Sequence, residues 1–356
     1  MRSAALSDRA RASPSLTAAA APAVKVPGSP RDWNALLARY REPSLTRSLV
    51  QLLTTTAVFV GLWWLMLWSI DISYWITLPI AIVEGGVTVR LFMFLHDCVH
   101  GSFFRSETAN SLLGSVIGIV TFTPFRYWRR NHVLHHATVG NLDKRGYGDI
   151  HTLTVKEYLA QSWLGRLGYR FVRHPAVYLL LGPVYIFLLK HRLPIGMPLS
   201  WKKEWISILW NDVALAAVVV LMWQTIGLTP FIKIQAPVFV VSTIAGIWLF
   251  HVQHQFDTVS WQRDERWDHV DISMKGSSYL DLPQPLRWST ANIGLHHIHH
   301  LCSAIPNYRL LQCQRELKEI PPVRRLSLWQ SFRCARLAVW DEEAGRLLKF
   351  SEVRKR

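Results

Sequence analysis

Three groups of histidines carry the chemistry of this sequence: His96 and His100; His132, His135 and His136; His296, His299 and His300. Residues three or four apart share a helix face, so HDCVH, HVLHH and HHIHH each aim a stripe of imidazoles in one direction. Eight such rings are enough to hold two metal ions. With 15 histidines in 356 residues, about 0.03 HxxHH matches are expected by chance. The chain has them at both 132–136 and 296–300. A lone histidine is usually a core residue that satisfies its own hydrogen bonds, but that account does not extend to eight in three clusters.

Imidazole suits zinc, copper, iron and nickel, and a structural zinc is usually closed by four ligands. Two ions sharing about eight nitrogens therefore point to open, six-coordinate chemistry, for which iron fits best. All-nitrogen ligation keeps a ferrous pair electron-rich enough to reduce O2 and attack an unactivated C–H bond.

The elements that must position these rings are membrane helices. The chain is 50% hydrophobic residues, gathered into long runs at 49–70, 72–95, 205–226 and 231–253. Each is long enough to cross a hydrocarbon core of about 30 Å. They pair into two hairpins with short turns around Asp71 and around Leu228-Thr229-Pro230. Of 40 Lys and Arg, only Arg90 and Lys233 lie within the hairpins, which places the tail, the central segment and the C-terminal region on the cytoplasmic side. All three clusters fall on that one side and can meet. The net charge of +16 follows from topology and attraction to anionic headgroups, and nucleic acid is not the expected partner.

Two shorter apolar pieces, 112–125 and 176–189, contain Pro124 and Pro183 and read as re-entrant or interfacial, with a further pair of tilted crossings as the alternative. Residues 1–32 form a tail expected to be disordered, rich in Ala, Ser and Arg; a cleaved organellar transit segment has a similar composition. The four cysteines, Cys98, Cys302, Cys313 and Cys334, form no CxxC pair and read as reduced thiols in apolar packing. Glu84, Arg90, Asn211 and Asp212 are costly in lipid and are expected to face the interior, where they would line substrate access. Trp63, Trp64, Trp68, Trp75 and Trp205 read as interfacial belts.

From about Trp33 to about Glu319 the chain resembles the membrane fatty acid desaturases, specifically the acyl-lipid omega-6 (delta-12) type. HDCVHGSFF at 96–104 matches the family's first box except at Val99, where the family has glycine. WRRNHVLHHATVGNLD at 128–143 carries the second box and NIGLHHIHHLCSAIPNYRL at 292–310 the third with its flanks. VQHQFD at 252–257 is similar to the family's VQHQFE, and by that resemblance His254 is a ninth ligand. His251 stands where the family has an aromatic and reads as a surface or interfacial substitution; His297 faces away from the HxxHH stripe.

The resemblance implies an all-α polytopic fold: four transmembrane helices in two hairpins, interfacial helices and a cytoplasmic histidine-rich cap, spanning 33–319, followed by a basic tail at 320–356. It implies a non-haem diiron centre on His96, His100, His132, His135, His136, His254, His296, His299 and His300, which uses O2 and two electrons to put a cis double bond into the acyl chain of a lipid or thioester. A hydroxylase or ketolase on the same scaffold is the alternative. No haem motif or cysteine-rich cluster site is present, so electrons come from a separate donor, ferredoxin or a haem protein. Arg126, Arg129, Arg130 and Arg324-Arg325 are candidate docking cations. A metal transporter or bis-histidine haem carrier fits less well, since transport wants ligands near the bilayer midplane. Asp97, Asp143, Asp149 and Asp257 are candidates to accept N–H bonds from ligating rings, and Asn292 either reaches the same face through water or caps the helix. The bacterial inner membrane is the expected location.

Overall fold

The computed structural model describes residues 30–146 and 148–353. Most of the tail expected to be disordered, 1–29, therefore lies outside the described residues.

The chain enters through α1 (Pro30–Arg41) and turns into the first hairpin, α2 (Leu45–Ile70) and α3 (Tyr74–Val99). Ser44 starts α2 by accepting a hydrogen bond from the Arg47 amide at 3.4 Å, the usual role of a serine at a helix N-terminus. The hairpin is tied at its far end by a 2.8 Å contact between the Ser69 and Thr77 hydroxyls. Helix α4 (Glu107–Val120) and α5 (Phe125–Thr138) follow, bent by 104° at the break before Pro124. The apolar piece at 112–125 is thus not a straight crossing: it ends where α5 turns away with the second histidine cluster.

A cap segment comes next, with strand β1 (Leu153–Thr154), α6 (Val155–Ala160) and α7 (Trp163–Val172). The piece at 176–189 forms two π-helical stretches, Val177–Leu181 and Val184–Lys190, bent by 61° from α7. The second hairpin is α8 (Lys202–Thr225) and α9 (Leu228–His254). Its turn is tighter than the sequence suggests: Leu228-Thr229-Pro230 already belongs to α9, because a proline in the first helical turn forfeits no hydrogen bond. The reversal falls on Gly227, at φ 82°.

Among the described residues four helices, α2, α3, α8 and α9, are each long and apolar enough to cross a membrane. They differ in burial: 61% of the α3 span is buried, against 11% for α8. Helix α3 is the core of the bundle. Its close packing on α9 depends on Gly85, where a Cβ would lie 2.6 Å from Val241. Trp64, Trp68 and Trp75 are exposed around the α2–α3 turn, as an interfacial belt requires.

The remainder builds the cap: α10 (His269–Lys275), strand β2 (Tyr279–Asp281), α11 (Gln284–Ser289), α12 (His296–Leu301), α13 (Asn307–Glu316), strand β3 (Arg325–Ser327), α14 (Leu328–Cys334), strands β4 (Leu337–Asp341) and β5 (Arg346–Lys349), and α15 (Phe350–Val353). The segment from 320 onward, set apart above as a tail, is folded back through 353. Strand β3 pairs in parallel with β2, and β4 lies between β1 and β5. The reason is its apolar content: all five residues of β4 are buried, and Val339 and Leu348 pack with Leu153 and Tyr169 of the central segment. Two small sheets thus staple the C-terminal residues to a helical membrane protein.

Candidate metal centre

Each histidine cluster lies at a helix end on the same side of the bundle. His96 is in the last turn of α3 and His100 caps it; His132, His135 and His136 occupy α5; His254 ends α9; His296, His299 and His300 lie on α12. Helices α3 and α9 outrun the apolar core and carry their rings into the cap: 26 residues at about 1.5 Å each reach about 39 Å, more than the roughly 30 Å of hydrocarbon.

The nine rings sort into two groups. His96, His100, His132, His136 and His299 point ring nitrogens at a common centre, all within 4.8 Å of one another. His135, His254 and His300 do the same at a second centre, and His296 joins them with Nε2 2.9 Å from His254 and 3.1 Å from His300. The helix angle explains the division. Relative to its first residue, the fifth of an HxxHH run is turned by about 40° one way and the fourth by about 60° the other. His132 and His136 therefore serve one group and His135 the other, while α12 is the mirror case, giving His296 and His300 to the second group and His299 to the first. Boxes two and three straddle the centres, and His136 stacks on His300 at 4.2 Å between them.

The donor set fits a cation. Nε2 atoms approach one another at 3.1 Å (His132–His136), 3.0 Å (His136–His299) and 3.2 Å (His135–His254). Between His135 and His254, whose Nδ1 atoms face the Asp149 carboxylate and the Gly276 carbonyl, two lone pairs then face each other unless something positive lies between. His254 fixes its tautomer by donating Nδ1–H to the Gly276 carbonyl at 3.1 Å, which leaves the Nε2 lone pair aimed at the second centre. Asp149 performs that service for His135, Oδ1 to Nδ1 at 2.5 Å, both side chains buried. Burial pushes His100, His296, His299 and His300 well below the ordinary imidazole range, so each is neutral at pH 7, the form that binds metal.

A cavity of about 510 Å³ reaches this centre from one side, lined by His96, His132, His135 and His296 at one end and by Val89, Phe92, Met93, Phe239 and Ile247 along its length. On α9 its wall runs from Gln235 to Gln253, about 27 Å at 1.5 Å per residue.

Residues 73–332 match the family model for fatty acid desaturases. The chain is 37% identical to a fatty acid desaturase of Bacillus subtilis (strain 168), covering 89% of this chain and 90% of that one. The chain belongs to the fatty acid desaturase family. It is also 28% identical to an sn-1 acyl-lipid omega-3 desaturase (ferredoxin) of Synechocystis over 84% of each chain, and 25% identical to an sn-1 oleoyl-lipid 12-desaturase of Anabaena variabilis over 74% of each. It is thus a membrane oxidoreductase of the desaturase type.

The carboxylates divide sharply. Asp149 meets a histidine directly. Asp97 lies 3.7 Å from His96 Nδ1, and its other oxygen accepts from the backbone and side-chain amides of Asn307 at 2.9 and 2.8 Å. Asp143 and Asp257 do not serve the rings: they pair with Arg263 and Arg324 on the cap surface. Asn292 neither caps α12 nor faces the rings; at φ 62° in the preceding turn, it donates to the Asn307 carbonyl at 3.2 Å.

His251 is not a surface residue: it is 2% exposed, stacked on Tyr178 at 4.6 Å, and lines the cavity beside the second group without joining it. His297 turns away to Gln314, 2.8 Å distant. None of Glu84, Arg90, Asn211 and Asp212 lines the cavity. Arg192 occupies Asn211 and Asp212 at 2.6 Å each, and Arg90 is on the far side of α3, bonded to Thr55. Most of the candidate docking cations are held internally: Arg129 by Glu107, Arg130 by Glu204, Arg324 by Asp257 and Arg325 by Asp281. Sequence reasoning missed the Gly276 carbonyl and Asn307. A main-chain acceptor has no side-chain signature, and Asn307 lies seven residues beyond the last histidine of box three.

Proposed function

We propose that this desaturase introduces a cis double bond into the acyl chain of a membrane lipid, using O2 and two electrons, with two iron ions held by the nine histidines. The observation that carries this reading is the apolar cavity that ends on His96, His132, His135 and His296. A mostly apolar cavity that runs about 27 Å along α9 and ends at a metal-binding set suits an acyl chain, and its walls exclude the water that would quench an oxidant.

Five rings would hold one iron and four the other, and the pair supplies activation of O2. The protein contributes position. Phe92, Met93 and Phe250 fix one stretch of the chain against the histidine end, so that only neighbouring methylenes are reached. Asp149 and the Gly276 carbonyl keep the His135 and His254 rings turned inward. In the balanced reaction, CH2–CH2 with O2, two electrons and two protons gives CH=CH and two waters.

The electrons come from a separate donor, which we assign to the ferredoxin class, as named for the Synechocystis relative. The histidine end faces the cytoplasm of a bacterial inner membrane, in keeping with where the basic residues lie. Gas chromatography of a host's fatty acids, with double-bond location, tests the reading. A new unsaturated acid that vanishes in His135→Ala supports it; a histidine-dependent hydroxy acid would move the protein to the hydroxylase class.

A further inference from the structure

A second pocket, on the opposite face of α3 from the acyl cavity, has a different character. It encloses about 470 Å³ between the start of α2, the cytoplasmic half of α3, α11 and the start of α13. Arg47, Arg90 and Arg287 line it, with Gln51, Asn292 and Tyr308. Arg90 is 9% exposed: its Nε donates to Thr55 at 3.0 Å and an Nη donates to the Trp288 carbonyl. Among the described residues no carboxylate pairs with Arg90 or Arg47; aromatic faces of Trp288 and Tyr308 lie over them at 4.5 and 5.8 Å. Arg287 is answered by Asp281 at 2.8 Å.

The Gln51 side-chain nitrogen, in a residue 8% exposed, is buried with no hydrogen-bond partner. A buried guanidinium without an anion and an amide N–H2 without an acceptor are both costly. They line one cavity, and a bound anion would satisfy them together. The first turn of α2, with Thr46 in the wall, adds the positive end of a 26-residue helix.

The surroundings place the anion at a lipid headgroup. Leu45, Leu49, Val50 and Leu53 of α2 and Leu286 and Trp288 of α11 are exposed beside the pocket. Apolar side chains around a cationic cleft at the end of a membrane span belong at the boundary between hydrocarbon and headgroups. We propose that this pocket is a binding site for a phosphate group, that of an anionic phospholipid from the leaflet on the histidine side, distinct from the acyl chain being desaturated. The wall between the two sites is one chain segment, in which Asn292 lines this pocket and Ile293 the acyl cavity. A seated headgroup would brace the loop that leads into α12.

Thermal unfolding of the full-length protein tests this in nanodiscs of phosphatidylcholine with and without phosphatidylglycerol, and in detergent with inorganic phosphate. We expect phosphatidylglycerol to raise the melting temperature by a few degrees, and Arg47→Gln, at an exposed position that leaves the core intact, to remove most of that rise. Lys202→Gln, a cation at the start of α8 outside the pocket, should retain it. Protection by inorganic phosphate that is also lost in Arg47→Gln would keep the phosphate site and make its source soluble. Equal protection in wild type and Arg47→Gln, or none from either anion, would overturn the proposal. The readout is binding, so it stands or falls independently of turnover.

Discussion

The two histidine groups are built from the same residue type and differ in how they are supported. The five-ring group draws on α3, α5 and α12, and two of its members, His100 and His136, are only part-buried. Its nearest carboxylate, Asp97, stands 3.7 Å from His96 and is engaged mainly with Asn307. The four-ring group is buried throughout, and two of its rings are locked from behind, His135 by Asp149 and His254 by the Gly276 carbonyl. One site has ligands to spare and loose support; the other has fewer ligands held rigidly. The loss of a ring or of its support should therefore hurt the second group more.

The largest contrast is expected between His300→Ala and His100→Ala. The first leaves three rings in the smaller group and should remove about half the bound iron together with all turnover. The second leaves four rings in the larger group and should retain more metal. Iron per chain, by elemental analysis of purified variants, reads the difference directly; equal losses would break the comparison.

Next comes the support of the rings. Asp149→Asn should lower iron affinity or activity by about 10- to 100-fold, the usual cost of removing the carboxylate behind a ligating imidazole. Asp97→Asn should cost only a few-fold, since its contact to His96 is long. A chelator competition series on both variants checks the ranking, and a larger effect at Asp97 would reverse the account of which group is the rigid one.

A smaller effect should come from the loop that carries Asp149. Arg145 clamps it by donating to the Thr152 carbonyl at 2.5 Å and to both oxygens of Glu157. That pairing lowers the Glu157 carboxyl from 4.5 to about 2. A depressed carboxylate stabilises the fold fully above its unfolded value and loses that contribution as pH falls through its folded value. The clamp should thus be constant above pH 4.5 and fade as pH falls toward 2. Glu157→Gln should cost about 1 kcal/mol in thermal unfolding near neutral pH, because the pair is partly solvated, and should flatten the acid limb. An unchanged acid limb would show that the clamp does not bear on the fold.

Helix-period spacing placed the histidine clusters at helix ends, and hydropathy located all four spans to within a few residues, because apolar length and ring spacing are local properties. Other features were not local. Asp143, Asp149 and Asp257 are chemically alike, yet Asp149, the farthest of the three from a ligating histidine in sequence, is the one folded against a ring. His251, expected as a surface or interfacial substitution, is instead buried against Tyr178, a partner far away in sequence. The C-terminal strands escaped notice because short β segments carry little signal until a partner such as β1 or β2 is known.

The sequence by itself determined that this is a helical membrane protein with histidine stripes gathered on one side, since burial cost in lipid and the 3.6-residue turn follow from residue type and spacing alone. Only the tertiary structure decided how the rings divide five and four, which acid stands behind which ring, and that the cationic pocket is walled off from the acyl cavity. Those depend on how α3, α5, α9 and α12 cross, and crossing is set by packing between residues far apart in the chain.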